Sequence, residues 1–229
     1  MLLQNQISTD SINNPIIEEK TLSIIELISS GGIGGNIIMG TLGVLSIYAI
    51  YILFERYSTI KKASFEDESF LKSIKNFVKQ KDIQAAKTLC KNTDNPVSRM
   101  IEKGIDRIDK PMTDISAAIE NQGKLEVYKM ENNLANLATI AGAAPMIGFL
   151  GTVIGMIVAF HEMASAGGNI DVEMLSKGIY TAMVTTVGGL VVGIIAFIAY
   201  NYLVSKIDKV IFQLEARTTE FLDLLHHNE

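Results

Sequence analysis

Two threonines, Thr152 and Thr186, sit near the centres of two long stretches that contain no Asp, Glu, Lys or Arg. A hydroxyl donates and accepts hydrogen bonds but does not ionise near neutral pH. The chemistry on offer is therefore the holding and relaying of hydrogen bonds, not acid–base exchange. Small residues flank each threonine at helical spacing: Ala141, Ala144, Gly148, Gly155 and Ala159 in one stretch, and Gly178, Ala182, Gly189, Gly193 and Ala196 in the other. At about 100° per residue each set falls on one helix face. Gly151 with Gly155, and Gly189 with Gly193, match the small-x-x-x-small spacing that lets helices approach closely. Close packing is the preferred reading for Gly148, Gly151, Gly155, Gly189 and Gly193. A single threonine in an apolar helix bonds its own backbone by default. Two of them centred on two small faces suggest a polar lining around a shared interior. Pro145 frees a backbone carbonyl in the first of these helices and is expected to bend it.

What these stretches lack is equally informative. Neither stretch holds an Asp, Glu, Lys, Arg or His, and His161 and Glu162 follow directly on one of them. Proton and ion paths through a membrane normally need a titrating group. The chain therefore either conducts nothing, serving as a scaffold that gathers other membrane proteins, or lines a corridor into which a partner brings that group. Enzyme chemistry has no support, because no nucleophile–base pair, metal-ligand cluster or phosphate loop stands in a fitting context. The glycines of residues 31–35 precede an apolar run and follow no strand, so they form no nucleotide fingerprint. Cys90 is the only cysteine, which excludes an intrachain disulfide and a CxxC site. His226 and His227 form too short and exposed a pair for a metal site. No cofactor is expected. A net charge of −5 offers no basic surface to nucleic acid.

The elements that must position the threonines follow from the distribution of charge. Residues 27–54, 132–160 and 178–205 run for 28, 29 and 28 residues without Asp, Glu, Lys or Arg. A bilayer core of about 30 Å needs roughly 20 apolar residues of helix. One charge at the centre would cost about 2.5–3.5 kcal/mol on the insertion scale. The chain thus reads as an all-α integral membrane protein with three transmembrane helices, at 37–56, 132–160 and 178–205. Fifteen of the 20 Lys and Arg residues lie between the first and second runs, which places residues 57–131 in the cytoplasm. The N-terminal residues 1–36 and the link 161–177 then lie outside, and the tail 206–229 inside. With no Trp in the chain, the interfacial aromatics are Tyr48, Tyr51, Tyr57, Tyr200 and Tyr202. The first residues lack the basic and apolar regions of a cleavable signal.

Helical periodicity extends beyond the membrane. Residues 18–30 combine isoleucines with charges, as an interfacial helix or as a frayed lead-in to the first span. Phe70, Leu71, Ile74, Phe77 and Val78, then Ile83, Ala86 and Leu89, repeat at helical spacing. Ile115, Ile119, Met130, Leu134 and Leu137 lead into the second span without a strong breaker, which predicts one long helix rising into the membrane. Ile207, Val210, Ile211, Leu214, Phe221 and Leu225 continue the third helix inward along an apolar stripe.

The core A-P-x-I-G-x-L-G-T-V-x-G, from Ala144 to Gly155, resembles the second-span signature of the MotA/TolQ/ExbB proton-channel family. Gly178, Ile179, Ala182, Thr186 and Gly189-Leu190-Val191 resemble its third-span signature. Three spans and one large cytoplasmic segment are similar to the ExbB/TolQ branch, with ExbB favoured over TolQ. The resemblance implies an oligomeric helical ring, a homopentamer in a bacterial inner membrane, coupling proton-motive force to mechanical work. The ring would enclose two copies of a single-span partner, ExbD or TolR, whose membrane aspartate carries the proton. TonB or TolA would receive the work. Thr152 and Thr186 correspond to path-lining threonines. Many relatives carry glutamate where this chain has Thr181 and proline where it has Ile195. Thr181 can bond water but cannot titrate, and it is counted with the lining residues.

Overall fold

The computed structural model describes residues 32–64, 68–165 and 172–226, all of it built on helices. The helices among these residues are α1 (Gly32–Ala63), α2 (Glu68–Lys79), α3 (Ile83–Asn92), α4 (Pro96–Ile105), α5 (Met112–Glu131), α6 (Leu134–Ser165) and α7 (Val172–His226). Three regions are long and apolar enough to cross a membrane: Gly34–Ala63, Met112–Ser165 and Gly178–His226. At 1.5 Å per residue, the 55 residues of α7 reach about 80 Å, far beyond a hydrocarbon core of about 30 Å. Only the charge-free part of each helix belongs in lipid. The rest of α7 runs on into the charged half of the molecule. The expected helix over residues 18–30 lies outside the described residues, as does His227.

Local sequence explains where the short helices begin. The Asp82 carboxylate accepts the Ala85 N–H at 3.0 Å and caps α3. Asn95 and Ser98 cap α4 reciprocally, with Pro96 at its first position, where a missing N–H costs nothing. Helices α2, α4 and α5 pack against α7, with α3 held between α2 and α4; the second half of α7 supplies Leu203, Ile207, Val210, Leu214, Phe221 and Leu225 as buried residues. Ile74, Ile101 and Ile119 from α2, α4 and α5 are completely enclosed in the same core. Cys90 is buried there too, and burial, with Glu102 and Asp106 adding repulsion, pushes its thiol up to about 12. That thiol stays protonated and unreactive.

The structure changes one expectation. The passage from the charged half into the second span is not one unbroken helix. It divides at Asn132 and Asn133, and Asn133 has a left-handed backbone with φ of 64°. Asparagine enters that region more readily than other residues with a Cβ. Its carbonyl then accepts the Leu137 N–H at 3.2 Å and starts α6. The paired asparagines were the available signal for a helix stop. By contrast, α7 passes from the apolar to the charged half without interruption.

Two tyrosines and a lysine cluster where the apolar and charged halves meet. Tyr57 of α1 stacks on Tyr202 of α7, ring centres 6.3 Å apart, and the Lys206 ammonium lies 5.4 Å from the Tyr202 ring. In the charged half, Glu126 of α5 is only 2% exposed. It accepts hydrogen bonds from Arg99 Nε at 3.1 Å, Arg99 Nη2 at 2.7 Å, Gln122 at 2.8 Å and Lys129 at 2.9 Å. Burial favours the protonated acid, but the donors from Arg99 and Lys129 outweigh it and hold the carboxyl below its ordinary value. Arg99 also pairs with Asp94 at 2.5 Å.

A carboxyl with a lowered folded-state value stabilises the protein above the ordinary carboxylate range and loses that contribution as pH falls through the lowered value. Glu126→Gln is expected to cost about 1–3 kcal/mol at pH 7, allowing for solvent at the partly exposed Arg99. Thermal unfolding of both proteins in detergent checks this. The gap between wild type and Glu126→Gln closes as pH is lowered from 7 towards 3.

Candidate functional site: hydroxyls at the seam of two apolar helices

The backbones of α6 and α7 approach closely at Gly148 and Gly189. A methyl group placed on Gly189 would lie 2.5 Å from the Ala144 carbonyl oxygen and 2.9 Å from Gly148 Cα. One placed on Gly148 would lie 2.7 Å from the Thr185 carbonyl oxygen. These are backbone atoms, which cannot swing aside, so the crossing tolerates only glycine. The other small residues extend the contact in both directions. Gly155 faces Ala182, and Gly193 faces the Pro145 ring and the Ala141 carbonyl that Pro145 leaves without its helical N–H. Gly151 faces the side chain of Thr185.

This approach brings hydroxyls of one helix within reach of carbonyls of the other. Thr152 Oγ1 donates to the Ala182 carbonyl at 3.1 Å, and Thr186 Oγ1 donates to the Gly148 carbonyl at 3.1 Å. The exchange is reciprocal, because Ala182 and Gly148 stand four residues before Thr186 and Thr152 respectively. The two hydroxyls also contact each other directly. Each hydroxyl carries one proton, so whichever donates in that contact releases its carbonyl while the other keeps its own, and the pair can reverse its hydrogen-bond direction without ionising. Both threonines are half-buried, whereas the neighbouring Phe149, Val153, Met183 and Val187 are exposed apolar residues. The outer surface of this helix pair is thus apolar on either side of the seam in which the hydroxyls lie.

Spacing alone placed the threonines at the middle of the small faces. In the structure the fully buried line along α7 is Ala182, Thr185, Gly189, Gly193 and Ala196. Along α6 it is Ala144, Gly148, Gly151 and Ala159. Thr152 and Thr186 lie at the edge of these lines. Thr185 takes the central place at 2% exposure, donating to Ala182 at 2.7 Å and Gly148 at 3.2 Å. Sequence reasoning missed it. The signal was present in the 3-4-4-3 steps from Ala182 to Ala196, which run through residue 185. Thr181 is not brought to this cluster. Its methyl group faces Gly35 of α1, where a Cβ added to that glycine would lie 3.6 Å away.

The profile of the MotA/TolQ/ExbB proton channel family matches residues 92–216, from the end of α3 to well beyond the hydroxyl cluster. That is more than half of the chain. The chain belongs to this family. Among its relatives, a putative biopolymer transport protein ExbB homolog of Methanothermobacter thermautotrophicus is 28% identical over 84% of this chain and 67% of its own length. A Tol-Pal system protein TolQ of Pseudomonas aeruginosa is 24% identical over 89% of this chain and 93% of its own. A biopolymer transport protein ExbB of Helicobacter pylori is 40% identical over a shorter stretch, 34% of this chain and 54% of its own. Energy-transducing channel subunits of the ExbB and TolQ kind are thus the relatives of this membrane protein, and the family is not a class of enzymes.

The crossing gives a controlled prediction. Gly189→Ala is expected to destabilise the helix pair by about 1–3 kcal/mol through overpacking. Gly142→Ala, where an added methyl meets nothing within 4 Å, leaves stability unchanged or slightly raised. Unfolding midpoints of the two variants in one detergent compare them directly.

Proposed function

We infer that the protein is the multi-span channel subunit of an inner-membrane motor of the ExbB–ExbD–TonB type, converting proton-motive force into mechanical work. The observation that carries this reading is the hydroxyl pair Thr152–Thr186, half-buried in a seam between helices whose spans hold no Asp, Glu, Lys, Arg or His. Hydroxyls relay hydrogen bonds, but a proton path also needs a titrating group. That group comes from elsewhere: the membrane aspartate of an ExbD- or TolR-like partner with one transmembrane helix. A ring of five copies, with two partner helices inside, sets Thr152 and Thr186 beside that carboxylate and Thr181 further along the path. Glycines 148, 151, 155, 189 and 193 hold the pair of lining helices together, and Pro145 shapes the second span. The N-terminus lies in the periplasm and the charged half in the cytoplasm, in keeping with its 15 Lys and Arg residues between the first two spans.

A TolQ-type role in envelope maintenance is the second reading, favoured by the near full-length similarity to the Pseudomonas aeruginosa protein. The partner separates the two. Purification in mild detergent, followed by mass spectrometry, recovers an ExbD-like or a TolR-like single-span protein. Recovery of this chain alone favours a non-conducting scaffold.

Potential-driven proton uptake into vesicles that contain the chain and its partner tests conduction itself. Thr152→Ala and Thr186→Ala are each expected to lower uptake by roughly ten-fold or more, the scale for losing about 1.4 kcal/mol of barrier stabilisation. The complex still assembles in both. Wild-type uptake in the two variants rejects the lining role.

A further inference from the structure

The break between α5 and α6 is bonded from both sides by the first membrane helix. On the α5 side, Arg56 Nη1 donates to the Lys129 carbonyl at 2.9 Å, within the last turn, where carbonyls lack helical partners. On the α6 side, Asn136 Nδ2 donates to the Tyr48 hydroxyl at 3.2 Å. Asn136 also reaches Asn133 Oδ1 at 3.5 Å, across the first turn of α6. Tyr48 and Arg56 stand eight residues apart on α1, about 12 Å along its axis, and so span the break.

Arg56 is not an ordinary surface cation. It is 6% exposed; its guanidinium pairs through Nη2 with the adjacent Glu55 carboxylate and through Nη1 with the negative end of α5, while its buried Nε has no partner among the described residues. A charge is buried at that depth only when fixed partners compensate it. From Lys129 the bonding continues through the ammonium to Glu126, and from Glu126 to Arg99 of α4. A polar chain therefore runs from the membrane helix α1, on the α5 side of the break, into the packed helices of the charged half.

The geometry points to Arg56, oriented by Glu55, as a positioning residue that fixes the angle between α5 and α6. Held in this way, the break is a rigid joint. Displacement of α6 at the level of Thr152 is carried into the charged half and is not taken up at Asn132 and Asn133. The functional part of this inference rests on the reading of the chain as a conducting subunit; the mechanical part does not.

Pulsed electron spin resonance on the full chain with its co-expressed partner in nanodiscs tests it. Spin labels at Tyr128→Cys and Phe149→Cys, both exposed positions on α5 and α6, report the angle in a Cys90→Ser background. A narrow distance distribution is expected in the parent and in Asn133→Gly, which keeps the left-handed backbone. Arg56→Gln broadens it, and proton uptake falls about five-fold or more, the lower end of typical coupling between sites. Tyr48→Phe, which removes one hydroxyl and no charge, broadens it to a smaller degree and serves if Arg56→Gln does not fold. A distribution as narrow as the parent in folded Arg56→Gln, or in Tyr48→Phe where Arg56→Gln is unfolded, overturns the joint. Broadening with unchanged uptake overturns the coupling role. Absence of uptake in the parent itself counts against the conducting reading and leaves the distance result to judge the joint.

Discussion

The contact between Gly148 and Gly189 governs the membrane half of the molecule. In lipid the hydrophobic effect does not drive two apolar helices together, so their association depends on close packing and on hydrogen bonds between them. Both require the backbones to approach closely, and the two glycines permit it. At this separation Thr152, Thr185 and Thr186 all reach carbonyls across the seam. Larger residues at the crossing would hold the helices apart. The threonines would then turn back to their own backbones, as Thr139 does at 2.8 Å with Ala135. The hydroxyl cluster is thus a consequence of the glycine crossing.

The charged half obeys different rules. Water is present there, and the apolar stripe of α7 drives α2, α4 and α5 onto it by burial, with α3 packed on α2 and α4. Glu126 then introduces a buried charge that is satisfied by four donors from three side chains. Such a network is stable only when complete. It ties α4 to α5, as the glycine crossing ties α6 to α7. Helix α7 runs unbroken through both halves, and α1 reaches the boundary between them with Tyr48, Arg56 and Tyr57.

Much of this architecture was legible in the sequence because its causes are local. Exclusion of charge over 28 or 29 residues is a property of the chain itself, and it marks the apolar helices whatever they touch. The helical spacing of Ile207, Val210, Leu214 and Phe221 likewise indicates which side of α7 is covered. The signature around Ala144 to Gly155 identified the family before any helix was placed against another. The helix stop at Asn132 and Asn133 was also written locally, but apolar periodicity on both sides obscured it.

The sequence by itself determined the helices, their apolar faces and the absence of a proton carrier within the spans. Only the tertiary structure decided that Thr185 lies at the centre of the seam with Thr152 and Thr186 at its edge, that Thr181 turns towards α1, and that Arg56 closes the end of α5. Each depends on the rotation of one helix about its axis relative to another, or on a bond between residues as distant in sequence as Arg56 and Lys129. Periodicity defines a helix face to within about one residue, or 100° of arc. A hydrogen bond requires its partners within a few tenths of an ångström, and that accuracy arises only when the helices are packed.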